Sequence, residues 1–197
     1  MFNKLFKKKS KAPGPIEKYK EHLNLIFEAE PEYYLNKSTS LRLEGVSSLV
    51  YRDLPEKGMI TAVTYGLSLA PHPHWKESRP ELMISVKSDD ISWGQVAGYL
   101  ANQLRGDCPF IFGNTINFGG PVSDSSEMDA FLVFAPSVVS EPDMLKVDLG
   151  LDYNVHITGL YPIYAAEMQL VEEWGLEKFL HHPGFDAFDV NRDRIEE

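Results

Sequence analysis

Thr61-Ala62-Val63-Thr64-Tyr65-Gly66-Leu67-Ser68-Leu69, then Pro71-His72-Pro73-His74-Trp75-Lys76-Glu77-Ser78-Arg79-Pro80, then Glu81-Leu82-Met83-Ile84-Ser85-Val86-Lys87 is the stretch whose reading decides the fold. In the first run Val63, Tyr65, Leu67 and Leu69 share one parity, and Thr64, Gly66 and Ser68 the other. In the second, Leu82, Ile84 and Val86 alternate with Glu81, Met83, Ser85 and Lys87. A period of two marks half-buried strands. Pro71 and Pro73 have no N–H to give to a ladder, so the connection between the strands is a loop. That loop carries His72, His74, Trp75 and Arg79, the densest cluster of chemically versatile side chains in the chain.

Outward from this stretch, helices and further strands alternate irregularly. Upstream, Ile16, Tyr19, Leu23, Ile26 and Phe27 form one stripe of an amphipathic helix, with Pro15 in its first turn and an end near Glu30-Pro31. Leu41 to Arg52 has a looser alternation and reads as one bent strand or two short ones. Downstream, Ser92 as cap, Gln95 as its return partner and Trp93, Val96, Leu100 and Leu104 at helical spacing specify a helix that stops at Gly106.

Cys108 to Pro121 reads as a short strand with tight turns. Its glycines do not make a phosphate loop, because no Gly-Lys-Ser/Thr follows. Ala130 to Ala135 is apolar at both parities, as in a strand covered on two faces. Lys146 to Thr158 alternates cleanly, with a division at Gly150 or at Asp152 to Asn154. Tyr161-Pro162 then reads as the start of a last helix with Ile163, Glu167, Leu170, Val171 and Trp174 on one stripe, followed by a shorter turn of helix over Leu176 to Leu180. Runs of strands with helices before, within and after them predict an α+β fold, a central mixed β-sheet flanked by about three helices.

The chain has 197 residues, 43% hydrophobic, enough for one domain with a sizeable core. The expected division is a basic, disordered tail over residues 1–14 and one folded domain over 15–197. A single cysteine, Cys108, excludes an internal disulfide or a thiolate metal cage. The net charge is −10, and the first eleven residues contain five lysines and no acid, so the remainder carries fourteen bases against twenty-nine acids, or −15. An acidic body repels phosphate, which argues against nucleic acid as partner and suits a basic protein. Phe2, Leu5 and Phe6 beside the lysines could touch a membrane surface, but the apolar face is under two turns long. No signal-peptide core and no membrane-spanning apolar run occur, so a cytoplasmic location is expected.

Two histidines spaced two apart could offer imidazoles to a metal, and a metal-dependent hydrolase using His72 and His74 is the alternative reading. The spacing nominates no third ligand, so neither a metal nor a cofactor is expected. No Gly-x-Ser-x-Gly elbow or placed catalytic triad occurs, so no catalytic residue is assigned. Trp75 and Arg79 belong to the residue types enriched at binding hot spots. A local role for Arg79, neutralising Glu81 or Glu167, is compatible with that, and both glutamates are read as structural.

The order of motifs is similar to that of the suppressor-of-fused family. The strand with Tyr65-Gly66-Leu67-Ser68 is followed by Arg79-Pro80-Glu81-Leu82 opening a second strand, and then by a Trp93-bearing helix ending at Gly106. Gly113-Asn114-Thr115-Ile116-Asn117-Phe118 comes next, then Leu160-Tyr161-Pro162-Ile163, Glu167 and Gly175. The resemblance covers roughly residues 40 to 180 and implies a mixed-sheet α+β domain that binds protein and carries no established catalytic constellation. Animal members restrain a transcription factor by gripping a peptide as an added strand, a recognised binding mode. This chain resembles only their N-terminal domain, which implies that a cleft between two domains is not expected here. Compact single-domain relatives are bacterial and several resemble immunity proteins, which implies a toxin as the partner.

Overall fold

The computed structural model describes residues 12–196, so the expectation for the basic tail falls largely outside the described residues. From the N-terminus the elements are α1 (Pro15–Phe27), β1 (Glu32–Leu35), β2 (Ser47–Arg52), β3 (Ile60–Tyr65), β4 (Ser78–Val86) and α2 (Ile91–Leu104). They continue with β5 (Thr115–Asn117), β6 (Ala130–Phe134), α3 (Glu141–Met144), β7 (Asn154–Ile163), α4 (Glu167–Trp174) and α5 (Leu176–Leu180). The seven strands form one sheet in the order β1-β2-β3-β4-β7-β6-β5. Every neighbouring pair is antiparallel except β4 and β7, which run parallel with Glu81 opposite Ile157. The α+β expectation holds, and β3 and β4 lie at the middle of a mixed sheet.

Strand parity sorts the core onto two faces. On one face Val50, Ile60, Ala62, Leu82, Ile84, Val86, Phe131, Val133 and Leu160 form a cluster with Trp93, Val96, Ala97, Leu100 and Ala101 of α2. Gly98 sets how closely that helix sits, since a Cβ there would lie 2.2 Å from Ser48 Oγ and 3.2 Å from the Ser48 backbone nitrogen. The opposite face is divided in two. Leu49, Tyr51, Val63, Met83, Val155 and Ile157 pack with Tyr19 and Leu23 of α1. Ala130, Leu132, Tyr161 and Ile163 pack with Leu170, Val171, Phe179 and the C-terminal Ile195. The apolar stripe of α1 read from the sequence thus covers half a sheet face, while α4 and α5 cover the other half.

Four local expectations are corrected. β3 ends at Tyr65, four residues short of Leu69, because Gly66 takes φ 120° and the backbone turns there. The cap of α2 is Asp90, whose carboxylate accepts from the Ser92 amide at 2.9 Å, so Ser92 lies inside the helix. Tyr161-Pro162-Ile163 continues β7 and does not open a helix. Pairing of β7 with β4 stops at Leu160, so Pro162 meets only β6 and a missing N–H is tolerated there. Of the Lys146 to Thr158 alternation, only Asn154 onward is strand, with Val147 bridged back to Val155. β1 and the four-residue α3 had no expectation. Among the described residues no helix is long and apolar enough to cross a membrane.

Candidate functional site

The loop between β3 and β4 is built around charge. Glu81, with no exposed surface, accepts from the Gly66, Leu67 and Ser68 amides at 2.9, 3.3 and 3.0 Å. It also accepts from the Thr64 and Ser68 hydroxyls at 2.6 and 2.7 Å. Burial is the larger influence and holds its carboxyl above the ordinary carboxylate range, against the pull of these hydrogen bonds. Arg79 does not neutralise Glu81 or Glu167 directly. Its guanidinium donates to the carbonyls of Ser68 and Ala70 at 3.1 and 3.3 Å and lies 3.7 Å over the Tyr153 ring.

Beyond Ala70 the loop folds onto the segment after α2. Trp75 is only 9% exposed and its indole N–H donates to the Pro109 carbonyl at 2.8 Å, so it anchors the loop and presents little surface. His72 stacks at 5.0 Å on Trp75 and edge-on at 5.3 Å to His74. Its Nδ1 accepts from the His74 amide, which leaves Nε2 to carry the proton toward the Asp107 carbonyl at 3.4 Å. His74, Lys76 and Glu77 are exposed. Among the described residues no group of three or more His, Cys, Asp or Glu side chains is arranged to hold a metal ion. Cys108, half-buried beside this loop, has its thiol pushed up by burial, which is the opposite of an activated nucleophile.

The loop leads to an exposed apolar surface within the stretch read from sequence as a short strand with tight turns. Ile111 and Phe112 are 50% and 52% exposed, with Phe112 resting on Phe134 at 5.1 Å. Phe110 turns inward in a left-handed conformation and is buried, so its two neighbours are forced out. The signal available was three apolar residues between Pro109 and Gly113, too short a run to fix a strand. The chain then enters β5, the last strand of the sheet, whose outer edge has no strand partner among the described residues. Beside that edge runs an open groove of about 1000 Å³, lined by Gly113, Thr115 and Asn117 on one wall and by Met168, Val171 and Glu172 of α4 on the other.

Glu167 sits elsewhere, at the start of α4, where it holds the C-terminal segment. Its carboxylate takes both Arg192 guanidinium nitrogens at 2.6 Å, and also the amides of Tyr164 and Ile195 at 3.0 and 2.8 Å. The two side chains are 0% and 4% exposed. Arg192 lies far along the sequence and was not foreseen as the partner.

Comparison with known proteins adds to this geometry. A family model described as suppressor of fused protein matches residues 42–193. The chain superposes on a suppressor of fused homologue from Neisseria gonorrhoeae with a TM-score of 0.71 at 17% identity, covering 91% of this chain and 96% of that one. A chain of the Sufu–Fu complex gives 0.58 at 17% identity, covering 95% and 93%. Drosophila Suppressor of Fused gives 0.58 at 16% identity, with 93% of this chain matching 52% of that one. None of the curated proteins matches the sequence. At these identities the structural likenesses establish fold.

Proposed function

The chain belongs to the suppressor of fused family, and on that premise we propose that it is a non-catalytic protein-binding domain, an immunity protein that neutralises a toxin in the cytoplasm. The observation that carries the binding role is the surface running from His72 and His74 through Ile111 and Phe112 to the open edge of β5. An exposed apolar pair beside an unpaired strand edge and a groove is suited to taking an extended partner segment as an added strand. In this reading His72 and His74 touch the partner, while Trp75 and Arg79 hold the loop that carries them. The −15 charge of the body favours encounter with a basic surface. Coverage of nearly the whole Neisseria homologue supports a single binding unit, residues 15–197, with the basic residues 1–14 as a tail.

The test begins with affinity purification and identification of a stoichiometric partner. That partner, expressed alone, should arrest growth, and co-expression of this chain should relieve the arrest. A partner that is harmless alone removes the immunity reading but not the binding role. Unchanged affinity on Ile111→Ser with Phe112→Ser removes the surface assignment.

A further inference from the structure

Arg79 and Glu81 stand two residues apart on β4 and therefore project from the same face of the strand. Each reaches the same short turn, Gly66 to Ala70, but by opposite ends of its peptide groups. Glu81 receives three consecutive amide N–H groups and two hydroxyls, and Arg79 donates to two carbonyls. Among the described residues the two charges form no direct ion pair. We infer that Arg79 and Glu81 act as a two-sided clamp on the Gly66–Ala70 turn, and that this clamp positions the following loop for binding.

Successive amides that converge on one point make a concavity that holds an anion. In this chain the anion is supplied by the protein itself. Amide N–H groups can only donate, so the ionised carboxylate is the species that satisfies all five donors at once. The guanidinium, drawn to the carbonyl side of the same peptides, balances the charge through their dipoles. Gly66 at φ 120° supplies the backbone bend that brings the amides around, which ties one residue of β3's end to the clamp. The arrangement explains why a carboxylate without a direct ion pair is kept at the centre of the sheet, where a hydrophobic residue would pack without desolvation cost. Removing it would leave three amides and two hydroxyls facing a dry interior. The loop from Pro71 to Glu77 is held beyond the clamp by Trp75 on the Pro109 carbonyl, by His72 on the Asp107 carbonyl and by the Asn154 amide on the Glu77 carbonyl.

The importance of this clamp for binding rests on the proposed contact role of the loop, but the clamp is tested without any partner. Amide hydrogen exchange is followed residue by residue in the native protein, in Glu81→Gln and in Arg79→Lys. In the native protein the Gly66, Leu67 and Ser68 amides should be protected like those of β3, although they lie outside any strand. Glu81→Gln should speed exchange at these three by at least 100-fold more than at β2 and β3 amides. Arg79→Lys, which keeps charge but loses the fork, should speed it at least 10-fold more. Uniform acceleration across the sheet would indicate global destabilisation and overturn the clamp. If Glu81→Gln does not fold, the native protein and Arg79→Lys still decide. Native exchange at 66–68 as fast as at the exposed Lys76 would also overturn it. Unchanged binding in the Ile111 and Phe112 variants would remove the surface assignment but leave the clamp standing.

Discussion

Arg192→Met should be among the most destabilising single substitutions in the chain. The guanidinium supplies two of the four hydrogen bonds to Glu167, whose side chain has no exposure. Methionine keeps most of the apolar stem, and what it removes is the guanidinium, with its charge and its place over the Tyr164 and Phe185 rings at 5.7 and 5.3 Å. What remains is a buried carboxylate with only the Tyr164 and Ile195 amides. Breaking a buried pair from one side costs about 3–5 kcal/mol. In a domain of this size each kcal/mol moves the melting temperature by about 2–4 °C, so a fall of roughly 6–20 °C follows. Denaturant titration monitored by circular dichroism gives the free energy directly. Glu167→Leu combined with Arg192→Met should recover most of the loss, because the uncompensated charge is gone and the site becomes apolar. A loss below about 1 kcal/mol in the single variant, or a double variant no more stable than the single, would refute the reasoning.

Gly98→Ala should cost about 1–3 kcal/mol by pushing α2 off Ser48, read as a lowered denaturant midpoint. His156 is mostly buried and donates to or accepts from Ser78, and burial holds its pKa below the ordinary value. The unfolded chain then binds the proton first, so stability should fall as pH drops through about 6.5 and level off below the folded value. His156→Asn should remove that portion of the slope in urea titrations between pH 5 and pH 8, a window that follows from the ordinary histidine value of about 6.5. Ile111→Ser and Phe112→Ser, at exposed positions, should shift stability by no more than about 0.5 kcal/mol.

Much of the architecture was legible because periodicity reports burial. The alternation around Ala62 to Val63 and Leu82 to Val86, the α1 stripe and the Trp93 helix all correspond to faces that meet the core. The failures have physical causes. Leu67 and Leu69 keep the strand parity of Tyr65, yet the backbone turns at Gly66 because Glu81 captures the next amides. Tyr161 to Ile163 kept to strand because β6 pairs with it, a nonlocal contact that outweighs the helix-opening reading of proline. Arg79 and Glu81 were recognised as important, but a direct ion pair is the simplest guess from sequence, and a shared turn is not visible there. The place of Glu167 among apolar neighbours is visible in the sequence, whereas its partner Arg192 lies 25 residues on. The exposure of Ile111 and Phe112 was not legible, because it follows from the inward, left-handed turn of the buried Phe110.

The central claim is that this domain binds a protein through the surface formed by the His72 loop, Ile111, Phe112 and the β5 edge. It is tested most directly by placing a photo-crosslinking amino acid at Phe112 and, in a second variant, at the exposed Leu41, then irradiating each with the purified partner. The account predicts an adduct from position 112 that maps to an extended segment of the partner, and none from position 41. Adducts from position 41 with none from position 112 would contradict it.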